Sequence, residues 1–482
     1  MTTIVLLCIA ALLLLGARLF VVVGLATMLC FSLVLGEGLD PDKLVRIATA
    51  FVGFLPGGLA IASIVACMIF AAISGSSPVT LVAVGTIMFP ALMAAKYPRD
   101  AAMGLLMTAG SLGCLLPPSV AMLIYAISVS GTSGVDPSDL FLAGSIPALT
   151  ISGVLAVYAF YIGKKSGAPK QPFSWSEVVA ALRDGGFALA LPFIVVGGIY
   201  SGQFTPTEAG AVALMYAVVV CTFVHREANL KQLGDAFAES AILIGSLILI
   251  VVLAFGLNDF LAEVEAAERM GSWLREAGLS PFMFLLVVNV ALIAIGALMD
   301  SVSATLVFAP LLAPIAIDVY GFDPVHFGVV FVVNMEIGYL APPVATNLFV
   351  GAAIFKEPFG RVARAVLPTL GMVCLALVAL MYIPTLSTGA LNWKKGKPVV
   401  TPFPWAGKQA MAAPLVAPTG ELPEKKGAMT MEEMMRAAER ELEEKPKRPM
   451  TMEEMMRAAE EEVRRSEEAG STDAAVPDAP AE

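Results

Sequence analysis

Charge is what this chain has least of. Asp, Glu, Lys and Arg make up 15% of its 482 residues, against about 25% in a soluble globular protein. Histidine is nearly absent: His225 and His326 stand far apart. The six cysteines, at 8, 30, 67, 114, 221 and 374, occur singly within or beside apolar runs, with no CxxC. That spacing excludes a disulfide framework and a zinc site. There is no HExxH, and no histidine–carboxylate grouping that would make Asp300 and Glu336 the catalytic acids of a membrane-embedded enzyme. No nucleic-acid surface is implied either, because the formal net charge is −10 and much of the acid sits in the last fifty residues. The opening residues carry neither a basic n-region nor a clear cleavage site, so the first apolar run is read as a retained span.

What the chain has is apolar length. It is 58% hydrophobic, with a mean hydropathy of +0.82. Apolar runs fall near 4–16, 18–35, 47–73, 78–95, 103–130 and 139–162, then near 186–201, 207–224, 238–257, 279–299, 302–320, 325–354 and 362–384. A crossing needs ~20 apolar residues, and lipid leaves helices as the way to satisfy the backbone, so the fold class is an all-α polytopic integral membrane protein. The organisation is a first transmembrane repeat over 1–163, a connecting loop with an interfacial helix over 164–185, a second repeat over 186–390 and a polar tail over 391–482. The tail reads as mostly disordered, yet it contains TMEEMMRAAE twice, starting at Thr430 and Thr451. Each copy has a capping box, Thr430 with Glu433 and Thr451 with Glu454. Helices this short are marginal in water. They are either partner-docking helices with adaptable methionines or a duplicated solvated spacer.

Two interrupted stretches carry the chemistry. The first is AISGSSPVTLVAVGTIMFPAL at Ala72–Leu92, followed by the paired prolines Pro117-Pro118. The second runs from Gly296 to Asn347, with Met299, Asp300 and Ser301 early and Pro342-Pro343 late. Laid over one another, Thr80 falls on Thr305 and one proline pair on the other, at one constant offset. Interrupted apolar segments at matching positions in two halves mark a secondary transporter with a midplane site. A break inside the bilayer bares carbonyls at one half-helix end, suited to a cation such as Na⁺, and N–H groups at the other, suited to an anion. Ser74, Gly75, Ser76, Ser77 and Pro78 supply the glycine, hydroxyls and helix-starting proline that such a break needs. Either stretch taken alone also fits a kink with serines bonded back to the preceding turn; the repetition favours a site.

Asp300 is the sharpest single residue, since a carboxylate at bilayer depth is costly unless paired or ion-bound. A solvent-facing helix end is its plain alternative. Glu336 and Glu208 are also flanked by apolar sequence, with Glu208 reading as the capping-box partner of Thr205. Asn334 and Asn347 supply amide ligands or bridge helices. The paired prolines, with Gly113 and Gly338 upstream, form a second break in each half or packing kinks.

These stretches resemble the large membrane subunit of tripartite ATP-independent periplasmic (TRAP) transporters, the DctM/SiaM-like family. The resemblance rests on FAAISGSS (70–77), LLPPSVAMLIYAI (115–127), DLFLAGSIPAL (139–149), GIYSGQFTPTEAGAVALMYA (198–217), GALMDSVSATLVFAPLLAPIA (296–316) and DPVHFGVVFVVNMEIGYLAPPVATNLFV (323–350). It covers about residues 1–390. It implies an elevator-type fold of the ion-transporter superfamily, with two inverted repeats, broken helices and re-entrant hairpins. It further implies Na⁺-driven import of a small organic acid across the bacterial inner membrane, with no other cofactor. The implied partners are a small DctQ-like membrane subunit and a periplasmic DctP-like receptor that delivers the substrate. The family's first break region falls on Ser74, Gly75, Ser76 and Ser77, and its second on Gly296, Met299 and Asp300, with Na⁺ near Ser74, Gly75, Ser76, Gly296, Met299 and Asp300. The proline-pair regions fall on Pro117-Pro118 and Pro342-Pro343, with Asn347 beyond.

Three departures stand out. The first half is roughly 40 residues shorter than the second ahead of its break, enough for one helical hairpin. The gap is placed near Gly36-Glu37, where the family carries a re-entrant hairpin that helps form a sodium site. Phe255–Glu268 is more acidic than the family's second hairpin, and the tail is an addition. The alternative function is therefore an impaired or non-transporting scaffold paralogue that binds a partner through its Met-rich tail. Lysines at 164, 165 and 170 read as cytoplasmic; those at 394, 395 and 397 suggest a cytoplasmic tail as well, against what inverted halves require.

Overall fold

The computed structural model of the chain describes residues 41–404, apart from 113–114, 131–133, 170, 225–229 and 277. The two N-terminal apolar runs, the gap near Gly36-Glu37, Gly113 and the tail repeats lie outside the described residues. Every long element among those described is a helix. The first repeat comprises α1 (Pro41–Val52), α2 (Gly58–Ser74), α3 (Ser77–Ala94), α4 (Arg99–Leu112), α5 (Val120–Ser128) and α6 (Pro137–Ser166). Then come α7 (Trp175–Tyr200), α8 (Pro206–Val219, continued by a π-helical turn to Val224) and α9 (Leu230–Glu263). The second repeat, which α7 to α9 open, continues with α10 (Ala266–Glu276), α11 (Pro281–Leu298), α12 (Ser301–Pro314, with a π-helical turn to Val319), α13 (Pro324–Gly338), α14 (Thr346–Phe355), α15 (Phe359–Tyr382) and α16 (Thr385–Lys394).

The repeat is one of structure as well as sequence. A shift of 225 residues carries Pro117 to Pro342, and the same shift lays α1 on α10, and α2 to α5 on α11 to α14. It lays α6 on α15 and α16 together. Both proline-pair peptides are cis. This register holds from Pro41 onward.

The first break makes a hairpin. α2 begins at Gly57, which packs against Gly163 in the last turns of α6, and Tyr97, just past α3, reaches the same place. Ala60, Leu92, Ala102 and Ala159 close around one small void there. α2 therefore enters and α3 returns to one end of the molecule, with Ser74–Ser77 as the tip. In the second repeat Phe284, in the first turn of α11, stacks on Tyr320 just past α12, with ring centroids 4.2 Å apart. Phe282 stacks on Tyr382 at the end of α15. This second hairpin enters from the opposite end, and its tip is Met299–Asp300. A hairpin is thus present in the first repeat at 58–94, built by the break itself. An apolar helix of 17 or 18 residues is about 26 Å long, which fits either a span or a hairpin arm, so length could not decide between them. Among the described residues, six helices are long and apolar enough to cross a membrane, and α3, α11 and α12 among them are hairpin arms.

Two expectations change. Trp175–Asp184 is not a separate interfacial helix; it opens the unbroken 26-residue α7. Arg46 of α1 holds that start by pairing with Glu177 at 2.7 Å and with Asp184. The second change concerns the tail side. Lys395 pairs with Asp139 at 2.5 Å, in the first turn of the 30-residue α6, whose last turn carries Lys164 and Lys165. The two lysine groups therefore sit at opposite ends of one long helix and cannot share a side. Inverted halves are obeyed, and the shared cytoplasmic placement fails. Lys394 is also engaged, 4.9 Å above the Tyr200 ring.

In lipid, helices associate through close packing and buried hydrogen bonds. Phe70, Phe141, Phe327, Phe331 and Phe355 are fully buried. Thr108 of α4 donates to Thr369 of α15 at 2.7 Å. Asn334 donates to Val330 O at 2.7 Å and to Asn289 Oδ1, bridging α13 to α11, so it serves packing.

Candidate functional site

The first tip is stapled by its own hydroxyls. Gly75 ends α2 in the left-handed region at φ 62, where a side chain is strained, and its N–H donates to Ala71 O at 2.7 Å. Ser74 Oγ lies 3.0 Å from Thr80 Oγ1, Thr80 Oγ1 donates to Ser76 O at 2.8 Å, and Ser76 N donates to Ser74 Oγ at 3.3 Å. A β-carbon on Gly75 would meet Val120 and the Pro118 carbonyl. The tip thus rests on the break at 115–119, where Pro117 and Pro118 are buried and Ser119 caps α5 through Met122 N at 3.2 Å.

The second tip rests on its own break in the same way. Gly296 and Gly338 touch backbone to backbone, and Ala345 N donates to Ala297 O at 3.0 Å. Ala345 has φ 40, and Met299 is extended between α11 and α12. Asp300 caps α12 by accepting from Ser303 N at 2.9 Å. Ser301 and Thr305 are buried, and Thr305 donates back to Ser301 O at 2.6 Å. Here the surroundings differ from the first tip. Met299, Asp300, Pro342 and Pro343 are all exposed. Asp300 is therefore a helix cap on an open face, where the apolar flanks had pointed to an enclosed acid.

At the first tip, a residue of the second half completes the cluster. Asn347, fully buried at the start of α14, donates to Ser77 Oγ at 2.5 Å and to Ser111 Oγ at 2.6 Å; the two hydroxyls are 3.0 Å apart. Its Oδ1 has no partner among the described residues. Ser111 was missed in the sequence, although the repeat register lays it on Glu336 and so marks both. Glu336 is the buried acid of the second half: 3% exposed, with Oε2 unpartnered. Shifting Ser77 and Asn347 by 225 gives Val302 and Met122, so the equivalent cluster at the second tip, Val302, Glu336 and Met122, keeps one polar group where the first has three. Glu208 takes the capping role expected of it, accepting from Thr205 N at 2.9 Å.

Asn347→Ala removes two buried hydrogen bonds and is expected to cost about 2 kcal/mol. The thermal unfolding midpoint in detergent would fall accordingly. An unchanged midpoint would mean that the node contributes nothing to holding the halves together.

Residues 8–386 match the family described as tripartite ATP-independent periplasmic transporter, DctM component. The chain is 41% identical over 352 residues to the C4-dicarboxylate TRAP transporter large permease protein DctM of Pseudomonas aeruginosa, covering 73% of this chain and 81% of that one. It is 34% identical over 360 residues to the ectoine TRAP transporter large permease TeaC of Halomonas elongata, covering 73% and 82%. It is 32% identical over 373 residues to the isethionate TRAP transporter permease DctMQ of Oleidesulfovibrio alaskensis, covering 76% and 57%. Among solved structures, the YdaH transporter of Alcanivorax borkumensis shares the fold with a TM-score of 0.53 at 13% identity, over 79% of this chain and 86% of that one.

Proposed function

Since the chain belongs to the DctM component family of tripartite ATP-independent periplasmic transporters, we propose that it is the large membrane subunit of a Na⁺-coupled importer of a small organic acid. The family transports and does not catalyse. The observation that carries the reading is the pairing of each hairpin tip with a second break, with Asn347 of the second half completing the cluster at the first tip. At each tip the carbonyls of a helix C-terminus face a break, an arrangement suited to holding a cation. Ser74, Gly75 and Ser76 would hold Na⁺ in the first half, and Gly296, Met299 and Asp300 in the second. The N-terminus of α14, which no side chain caps, lies beside the exposed Pro342-Pro343 and offers N–H groups to a carboxylate. A periplasmic receptor would present the acid there, and a small membrane subunit would brace the carrier.

Orientation follows from charge. Arg46, Lys96, Arg99, Lys164, Lys165, Lys356, Arg361 and Arg364 gather at the end where the first hairpin enters. The positive-inside rule makes that end cytoplasmic in the inner membrane, and Lys394–Lys397 periplasmic.

The test is uptake by vesicles holding the full chain with its native small subunit, supplied with the native receptor and a panel of labelled carboxylates. Accumulation is expected only with receptor, small subunit and an inward Na⁺ gradient together. Absence of uptake from well-folded preparations would favour the scaffold reading, in which the Met-rich tail binds a partner.

A further inference from the structure

Away from the tips, a cavity of about 540 Å³ opens between the first turn of α4, the later part of α6 and the first turns of α15, lined by Asp100, Tyr158, Arg361, Arg364, Ala365 and Pro368. Its charges do not balance. Arg99 Nε bonds Glu357 at 2.6 Å, Arg361 bonds Glu357 at 3.3 Å, and Arg361 Nε bonds Asp100 at 3.1 Å. Two carboxylates thus serve two arginines. Arg364 uses Nε on Gly360 O at 3.1 Å and pairs with no carboxylate among the described residues, leaving its terminal amino groups for a ligand.

The cavity's surroundings say what kind. Arg364 heads a stripe of exposed side chains on α15 that continues through Leu367, Leu375 and Val378. Beside it α6 exposes Val157, Phe160 and Tyr161. From Arg364 to Leu375 the stripe is about 17 Å long. An uncompensated guanidinium at the end of an apolar groove matches an amphiphile with an anionic head and hydrocarbon chains. A soluble anion would have no use for the groove. Guanidinium binds phosphate in a planar fork, and tyrosine sits well at headgroup depth.

We propose that this cavity is a binding site for the headgroup of an anionic phospholipid, with the phosphate on Arg364 and Arg361 and the acyl chains along the α6–α15 groove. The site lies at the end of the molecule rich in basic residues, where the cytoplasmic leaflet supplies anionic lipid.

Native mass spectrometry of the full-length protein, delipidated and titrated with phosphatidylglycerol or phosphatidylcholine, tests this. Phosphatidylglycerol should bind well above phosphatidylcholine. R364Q should weaken phosphatidylglycerol about tenfold, R364K less, and phosphatidylcholine should be unaffected by either. Equal binding of the two lipids by the wild type, or an R364Q affinity equal to wild type, overturns the proposal. Displacement of the lipid by inorganic phosphate at millimolar concentration also overturns it, in favour of a soluble anion. The wild-type comparison decides the matter even if R364Q does not fold.

Discussion

Replacing Asp300 by asparagine is expected to cut Na⁺-dependent uptake about a hundredfold while leaving expression and the unfolding midpoint unchanged. The two outcomes separate because the proposed coupling gives Asp300 a second job beside capping. As a helix cap its carboxylate accepts from Ser303 N at 2.9 Å, and an asparagine oxygen caps nearly as well. As a cation ligand it contributes charge, which asparagine removes. Two unit charges at ~4 Å near a protein surface attract by roughly 4 kcal/mol. The exposure of Asp300 lowers that, and about 2.7 kcal/mol corresponds to a hundredfold change in affinity. Uptake equal to wild type would leave Asp300 as a cap and nothing more. A fall in midpoint with unchanged coupling would say the same.

Gly338→Val is expected to cost about 3 kcal/mol of stability and to abolish uptake. A β-carbon on Gly338 would stand 2.6 Å from Gly296 Cα and 2.8 Å from the Gly296 carbonyl carbon, and neither backbone atom can rotate away as a side-chain end would. Overpacking of this kind costs typically ~1–3 kcal/mol, and here the strain falls between two backbones. The second tip would be levered off its break, so transport should fail even in molecules that remain folded. Gly197→Val is the control, because nothing lies within 4 Å of its β-position. Equal unfolding midpoints for the two variants would show that the Gly296–Gly338 contact is not tight.

Much of this was legible in the chain. Gly75 and Pro78 announce a helix end and a helix start, and the paired prolines recur at the interval that relates the halves. The capping box at Thr205 and Glu208 is a local pattern with a local result. What sequence withholds is direction. An apolar segment of 18 residues carries no sign of whether the chain crosses or turns back, so α2–α3 and α11–α12 became hairpins only when Gly57 met Gly163 and Phe284 met Tyr320. Burial of single acids was withheld for the same reason. Asp300 and Glu336 both sit in apolar sequence, yet the first lies on an open face and the second inside, because the tips differ in what covers them. The lysines near 395 misled because their partners, Asp139 and Tyr200, are remote in sequence.

The inverted hairpins carry one more implication. A machine made of two copies, one turned upside down, has no intrinsic sense of which way is in; a perfect pair would run equally well backward. The direction of net flux is set by the gradients across the membrane; the substitutions that spoil the match, among them Asp300 opposite Gly75, Asn347 opposite Met122 and Glu336 opposite Ser111, set how unequally the two tips hold what they bind. Exchanging residues between partners is the way to shift that difference in affinity.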